Sequence, residues 1–273
     1  MPSKLGIIAG GGALPARVVA ACRSKGRECF VLAFKGHTDP KTVESVPHAW
    51  VRLGAVGAAI KHLHEAGVEE LVLAGPVGRP SLGSLRPDVR GARLLAKAGV
   101  AALSDDGLLR TAIGELEREG FCVIGAEDVF DDLLTPEGVL GKVAPDELAK
   151  SDIDYGVELA RAIGAFDVGQ AVVIQQGIAL GLEAIEGTDA LITRAGSLQR
   201  EGPGGVLVKI KKPKQEARAD LPTIGIATVK AAAASGLRGI AIEAGGSLII
   251  DRPAVIAAAD DAGLFLVGIR VEE

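Results

Sequence analysis

Aromatic side chains are scarce in this chain, at 3% of 273 residues with a single Trp and a single Tyr. A surface that stacks bases on aromatic platforms needs more of them, and a net charge of -5 gives no basic footprint for a polyanion. No nucleic-acid partner is expected. Histidine is confined: His37, His48, His62 and His64 all lie in the first 64 residues, and beyond Cys122 the chain has neither His nor Cys. A His/Cys zinc site built within the second half is therefore excluded. His62 and His64 are two apart on a helical pattern, point to different faces and make a poor metal pair. Cys22, Cys29 and Cys122 form no C-x-x-C pair, and no charged-then-apolar leader precedes the first strand, so a reducing cytosol is the expected compartment. Long apolar runs are missing as well. The best, residues 168–182, is interrupted by Gln and Gly and falls short of the ~20 apolar residues needed to cross a bilayer. Neither G-x-S-x-G nor G-x-x-x-x-G-K-[ST] occurs, and Ser247 lies in a strand-like run. What remains for catalysis is carboxylates, hydroxyls, cations and a hard metal such as Mg²⁺, which takes oxygen ligands.

What is present suits layered α/β packing: 48% hydrophobic residues, rich in Ala, Gly, Val, Ile and Leu. Through the first half, short apolar runs alternate with helical patterns: 4–10, a helix ending near Gly26, 28–34, 49–54, a helix over 55–67, and 70–75. Helices over 91–104 and 107–120 then lead to a strand at 121–126. Strands joined by crossover helices imply a Rossmann-like, doubly wound, mostly parallel sheet. The pattern breaks in "EDVFDDLLTPEGVLGKVAP", which places the domain boundary near Thr135, giving domains 1–134 and 135–273. The second domain also reads as α/β: a helix over 146–164, strands at 171–177 and 178–187, and a helix over 189–200. A strand at 206–212, a helix over 223–236, strands at 239–245 and 247–251, a helix over 253–263 and a strand at 264–271 complete it. A hairpin-like pair in this half makes its sheet mixed, and two such domains are expected to leave a ligand cleft between them.

Several motifs carry candidate chemistry. In "AGGGALP", Gly10 and Gly12 fit the first two places of the dinucleotide fingerprint, but Pro15 occupies the third. The acid expected after the second strand is replaced by Lys35, Gly36 and His37. The turn is either a loop for phosphate or another polar ligand, with a helix N-terminus behind it, or a tight strand-to-helix turn with no ligand. "LAGPVGRPSLGSLRPD" is a Gly/Pro loop after a strand, where open α/β sheets bind ligands; it carries Gly75, Arg79 and Arg86. Asp105 and Asp106 open a helix, where paired acids either hold a metal or a sugar or simply complement the dipole. In the second half, which has 14 Lys and Arg against 19 Asp and Glu, five cations gather in ten residues: Lys209, Lys211, Lys212, Lys214 and Arg218. Such a patch either binds an anion or is a solvated basic strand. Gln215, Glu216 and Asp220 follow in the loop that opens a helix. Gly187, Thr188 and Asp189 form another strand-to-helix turn, where hydroxyl and carboxylate either cap the helix or reach phosphate and metal. Asp220 and Asp251 both lead Asp-x-Pro segments into Ala-rich helices; Asp251 is expected to be a plain N-cap.

Taken in order, "LGIIAGGGALP", "AGPVGRP", "DDGLLR", "EGFCVIGAEDV", "GKVAP", "DIDYGVELARAIGAFDVGQAVV", "EAIEGTDALI", "KPKQEARADLPTIG" and "EAGGSLIIDRPAVIAAADDAGLFLVG" closely resemble the UDP-2,3-diacylglucosamine pyrophosphatases of lipid A synthesis, of the type without metallophosphoesterase histidines. The likeness covers nearly the whole chain. It implies two α/β domains and Mg²⁺-dependent hydrolysis of an acylated UDP-sugar to UMP and the diacylated glucosamine 1-phosphate. The work would be done from the cytoplasm, in transient peripheral contact with the inner membrane. It also implies Asp220 as the catalytic acid, Asp220 and Asp189 as metal ligands, and substrate contacts from Gly11, Gly12, Gly75, Arg79, Asp105, Asp106, Gly187, Thr188, Asp189, Lys209, Lys211, Gln215, Arg218 and Thr223. A homodimer is expected from the commonest symmetry alone.

Overall fold

The computed structural model describes residues 3–78, 86–99, 105–130, 132–213, 215–216 and 218–272; Arg79, Lys214 and the side chains of Asp105 and Asp106 lie outside what it describes. The chain divides into two compact units, Met1–Asp131 with Glu216–Ala219, and Asp132–Gln215 with Asp220–Glu273.

The first unit holds strands β1 (Leu5–Ala9), β2 (Cys29–Phe34), β3 (His48–Val51), β4 (Glu70–Ala74) and β5 (Cys122–Ile124), with helices α1 (Leu14–Ser24), α2 (Val56–Glu65), α3 (Val89–Ala98) and α4 (Asp105–Arg118). The strands run parallel in the order β3-β2-β1-β4-β5, with Ile7 opposite both Val31 and Val72. Leu5, Ile7, Val31, Leu71 and Val72 are fully buried, as parallel strands covered on both faces require. This is the doubly wound Rossmann-type order, in which the chain reverses direction across the sheet between β1 and β4. Asp88 joins two helix starts. Its Oδ1 accepts the Gly91 amide of α3 at 2.7 Å, and its Oδ2 accepts the Gly57 amide of α2 at 2.7 Å. Cys22 and Cys29 are buried free thiols, and Cys122 is an exposed one.

The second unit contains β6 (Gly138–Val139), α5 (Glu147–Ala165), β7 (Ala171–Gln175), β8 (Ile178–Leu182), α6 (Thr188–Gly196), β9 (Val206–Lys209), β10 (Thr223–Ile224), α7 (Ile226–Ala234), β11 (Gly239–Glu243), β12 (Leu248–Ile249), α8 (Arg252–Asp261) and β13 (Phe265–Ile269). Its main sheet is mixed, in the order β6-β13-β11-β9-β7-β8, and β10 pairs with β12 apart from it. β9, β11 and β13 are parallel, while β7 runs antiparallel to both β8 and β9. Alternation along β9 separates two cores. Val206 and Val208 pack with Ala149, Ile153 and Ala160 of α5, and Leu207 packs with Leu191, Val229 and Val255 of α6, α7 and α8. Gly156 lets α5 approach this sheet, since a Cβ there would lie 2.6 Å from the Val208 side chain.

Two helix starts differ from the sequence expectation. Helix α7 begins at Ile226 behind an N-cap Gly225, because Thr223 and Ile224 are drawn into β10. Asp220 therefore lies well ahead of the helix and is not its cap. Asp251 does stand at the N-cap of α8, but its φ of 62° is left-handed and its carboxylate makes no capping bond. The backbone departs from the extended form that turns a cap side chain back, and Pro253 supplies no amide.

Candidate active site

Lys209 ends the buried strand β9 and is only 6% exposed. Its Nζ donates to Thr188 Oγ1 at 3.0 Å and to the Thr223 carbonyl at 3.0 Å. Thr188 opens α6 behind Gly187, whose φ of 80° is a turn that favours glycine. The Thr188 hydroxyl in turn donates to Glu183 Oε1 at 2.6 Å, and Glu183 Oε2 accepts the Gln170 amide at 3.0 Å. Glu183 follows directly after β8 and is buried. Its loop crosses the one before β7 so closely that a Cβ on Gly169 would collide with the Glu183 carbonyl.

Asp220 enters the same cluster from the loop after β9. Its Oδ2 accepts from Gln215 Nε2 at 2.8 Å, while Gln215 Oε1 accepts the Lys212 amide at 2.9 Å. Burial pushes the Lys209 ammonium below the ordinary lysine range, and the charges of Glu183, Asp189 and Asp220 push it back up. Three carboxylates around one ammonium leave an excess of negative charge, a setting that suits a divalent cation. Glu183 is buried and accepts from Thr188 and the Gln170 amide, Asp220 accepts from Gln215, and Asp189 and Asp220 are the acids through which a metal would be held. Among the described residues no group of three or more His, Cys, Asp or Glu forms a metal cage. The fit is to an ion such as Mg²⁺, which keeps several waters and is held by one or two carboxylates together with substrate phosphates.

The described cations of the basic patch lie in different surroundings. Lys211 lies beyond the end of β9 and pairs with the buried Glu243 at 3.3 Å, and Lys212 pairs with Asp167 at 2.6 Å. Arg218 belongs to the first unit, where it pairs with Glu117 at 2.6 Å and Glu216 at 2.8 Å; both carboxylates raise its pKa. These three cations are matched by carboxylates, and among the described cations of the patch it is Lys209 whose charge is felt with that of Asp220. Ser247 is buried, accepting from Thr135 Oγ1 at 2.8 Å and donating to the Glu243 carbonyl, a structural role.

In the first unit the glycine turn is held to the end of β4. The Gly10 amide donates to the Ala74 carbonyl and the Gly11 amide to the Pro76 carbonyl, each at 2.8 Å. A Cβ on Gly75 would collide with the Gly11 carbonyl, so Gly10, Gly11 and Gly75 serve the approach of two loops. Gly12 (φ +74°) and Ala13 instead line a cleft of about 640 Å³ with Gly36, His37, Thr38, Asp39, Pro40 and Trp50. Two features escaped the sequence reading. Glu183 falls within the stretch expected as a strand at 178–187, and an acid does follow β2, Asp39, five residues past its end.

The LpxI N-terminal domain family model matches residues 4–133, and the LpxI C-terminal domain model matches residues 136–267. A relative from Caulobacter vibrioides, "UDP-2,3-diacylglucosamine pyrophosphatase LpxI", is 45% identical over 277 residues, covering 99% of this chain and 99% of its own. Among solved structures, a CobK precorrin-6A reductase aligns at 12% identity with a TM-score of 0.37, over 100% of this chain and 89% of its own. An isoflavone reductase aligns at 14% identity with a TM-score of 0.29, over 100% and 80%. Those two scores carry no argument about activity. The domain matches and the full-length relative do decide the family: this chain belongs to the LpxI family.

Proposed function

We propose that this chain hydrolyses the pyrophosphate bond of UDP-2,3-diacylglucosamine, with Mg²⁺, to UMP and 2,3-diacylglucosamine 1-phosphate in lipid A biosynthesis. The observation that carries the reading is the buried Lys209 ammonium set among Glu183, Asp189 and Asp220. The relative's name supports the choice of substrate. Lys209, fixed by Thr188 and the Thr223 carbonyl, stabilises negative charge that builds on a phosphate oxygen during hydrolysis. Asp220, oriented by Gln215, holds the metal or positions the attacking water, and Asp189 is the second acid at hand. A bound Mg²⁺ would neutralise the diphosphate and favour departure of the leaving phosphate. Attack at the sugar-side phosphorus is the expected course, so hydrolysis in ¹⁸O water should label the sugar phosphate; label in UMP would refute it. No helix among the described residues is long and apolar enough to cross a membrane. Uptake of the lipid substrate by transient contact with the cytoplasmic face of the inner membrane is part of the same proposal.

Phosphorus NMR of UDP-diacylglucosamine with the protein and Mg²⁺ tests the reading directly. Two monophosphate signals should replace the diphosphate pair, and excess EDTA should stop the conversion. Undiminished turnover in EDTA would end the metal assignment. Asp220→Ala should stay folded and bind substrate while turnover falls by at least about 10²-fold, because the lost interaction acts mainly in the transition state.

A further inference from the structure

We propose that Cys22 and Cys29 form a redox-modification site, a dithiol that hydrogen peroxide closes to an intramolecular disulfide between the last turn of α1 and the first residue of β2. The proposal goes beyond the hydrolase reading and does not depend on it.

The chain turns back on itself between the two residues. Helix α1 ends on a Schellman-type closure, in which the Arg27 amide donates to the Cys22 carbonyl at 2.8 Å, the Gly26 amide donates to the Arg23 carbonyl at 3.2 Å, and Gly26 takes a φ of 62°. β2 then starts at Cys29, in parallel register opposite Leu5 of β1. This return sets the two thiols side by side, hydrogen-bonded to each other. Cys22 is 1% and Cys29 8% exposed, while Arg23, Ser24, Lys25, Gly26 and Glu28 of the turn between them are open to solvent. The pair is electrically unequal. The thiol–thiol hydrogen bond, together with burial, pushes Cys22 up, so Cys22 keeps its proton and donates it. The same bond pulls Cys29 down to about 7 against its own burial, with help from the cations of Arg23, Lys4 and Arg27. Cys29 is therefore the nucleophile and Cys22 the resolving thiol. Two cysteines that served only as small apolar side chains would need neither the contact nor the asymmetry. In the first step the Cys29 thiolate attacks one peroxide oxygen and the O–O bond breaks. The other oxygen leaves as hydroxide and takes up a proton, so the sulfur is oxidised to a sulfenic acid while peroxide is reduced to water. In the second step the Cys22 sulfur attacks the Cys29 sulfur, and its proton leaves with the sulfenic hydroxyl as a second water. Two thiols and one peroxide thus give one disulfide and two waters. Thiol reductants reverse the bond.

The full-length protein is reduced, freed of reductant and treated with an equimolar amount of hydrogen peroxide, and the remaining thiols are then blocked with N-ethylmaleimide in denaturant. Trypsin cuts after Arg17, Arg23, Arg27 and Lys35, so the bond should join peptides 18–23 and 28–35 at a mass two hydrogens below their sum. Free thiols counted in denaturant should fall from three to one per chain, and dithiothreitol should restore all three. Cys122, exposed and without a thiol partner among the described residues, is the ordinary thiol for comparison and should be the one left free. Cys22→Ser should stop at the Cys29 sulfenic acid, trapped by dimedone, whereas Cys29→Ser should leave Cys22 reduced at the same dose. The wild-type peptide map decides the matter even where a variant folds poorly. Oxidation confined to Cys122, with Cys22 and Cys29 both recovered as maleimide adducts, would overturn the proposal. So would a bond that appears only after circular dichroism shows the chain unfolded. Either result leaves the hydrolase reading where it stands, because the readout is the mass of the peptides and not turnover.

Discussion

At Lys209 burial works against the charged form, and the charges of Glu183, Asp189 and Asp220 offset part of that cost only while they remain. Lys209→Met should therefore destabilise the protein by about 3–5 kcal/mol, because it strands the buried Glu183 without its counter-charge. Adding Glu183→Gln should recover much of that loss in denaturant unfolding, yet turnover should stay low in both variants because the anion-stabilising ammonium is gone. A single variant as stable as the parent would show that the buried charges are not coupled. Sequence displayed Lys209, Thr188, Asp189 and Asp220 as residue types in suggestive motifs. It could not display partners. Glu243, Asp167 and Glu117, which claim Lys211, Lys212 and Arg218, lie 32, 45 and 101 residues away in sequence. Glu183 was hidden for the same reason, since its role depends on a loop crossing at Gly169 that no local pattern marks.

Among the elements, helix starts separate two kinds of aspartate. Burial would push the Asp88 carboxyl up, but the amides of Gly91, Gly57 and Ala58 outweigh it and hold the group below the usual range. The sign follows from linkage: a depressed folded pKa gives stability that is present above the unfolded value of about 3.9 and is lost as pH falls through the lower folded one. Asp88→Ala should cost about 0.5–2 kcal/mol at neutral pH. Its denaturation midpoint should converge on the parent's as the pH is lowered below about 4, and a constant gap down to pH 2 would contradict the carboxylate account. Asp251 should behave in the opposite manner, because its left-handed φ and not a capping bond sets the cost of replacement. Asp251→Gly should match or exceed the parent in stability, while Asp251→Ala should lose about 1 kcal/mol. Equal loss in both would restore the cap. The apolar runs placed the strands well, but the two cores on either side of β9 were not visible in its sequence, VLVK, all four residues of which are buried. Helix starts were less legible because backbone handedness at Asp251 and the capture of Thr223 by β10 are tertiary outcomes.

For the whole molecule, the break after β5 shows in composition as a change from regular apolar runs to a Gly/Pro-rich stretch, and the compact units divide there at Asp131. What composition does not show is that Glu216–Ala219 count with the first unit, where Ala219 packs against the core and Arg218 pairs with Glu117. A cut at 134/135 therefore yields two unequal losses. Fragment 1–134 keeps its parallel sheet and the Trp50 cleft but lacks that four-residue segment. Fragment 135–273 keeps Lys209, Thr188, Glu183, Asp189 and Asp220, yet carries residues 216–219 without the partners they pack on. If the diphosphate chemistry needs Asp220 held in place, disorder in the residues just before it should cost turnover even though every cluster side chain is present. Misplacement by about 1 Å is enough to lose on the order of 10²-fold. Neither fragment alone should convert UDP-diacylglucosamine above about 1% of the intact rate, and mixing the two should restore part of it. Circular dichroism must show fragment 135–273 folded before its rate is read. Full turnover by that folded fragment alone would mean that the first unit contributes nothing to the reaction and that the segment before Asp220 needs no support from it.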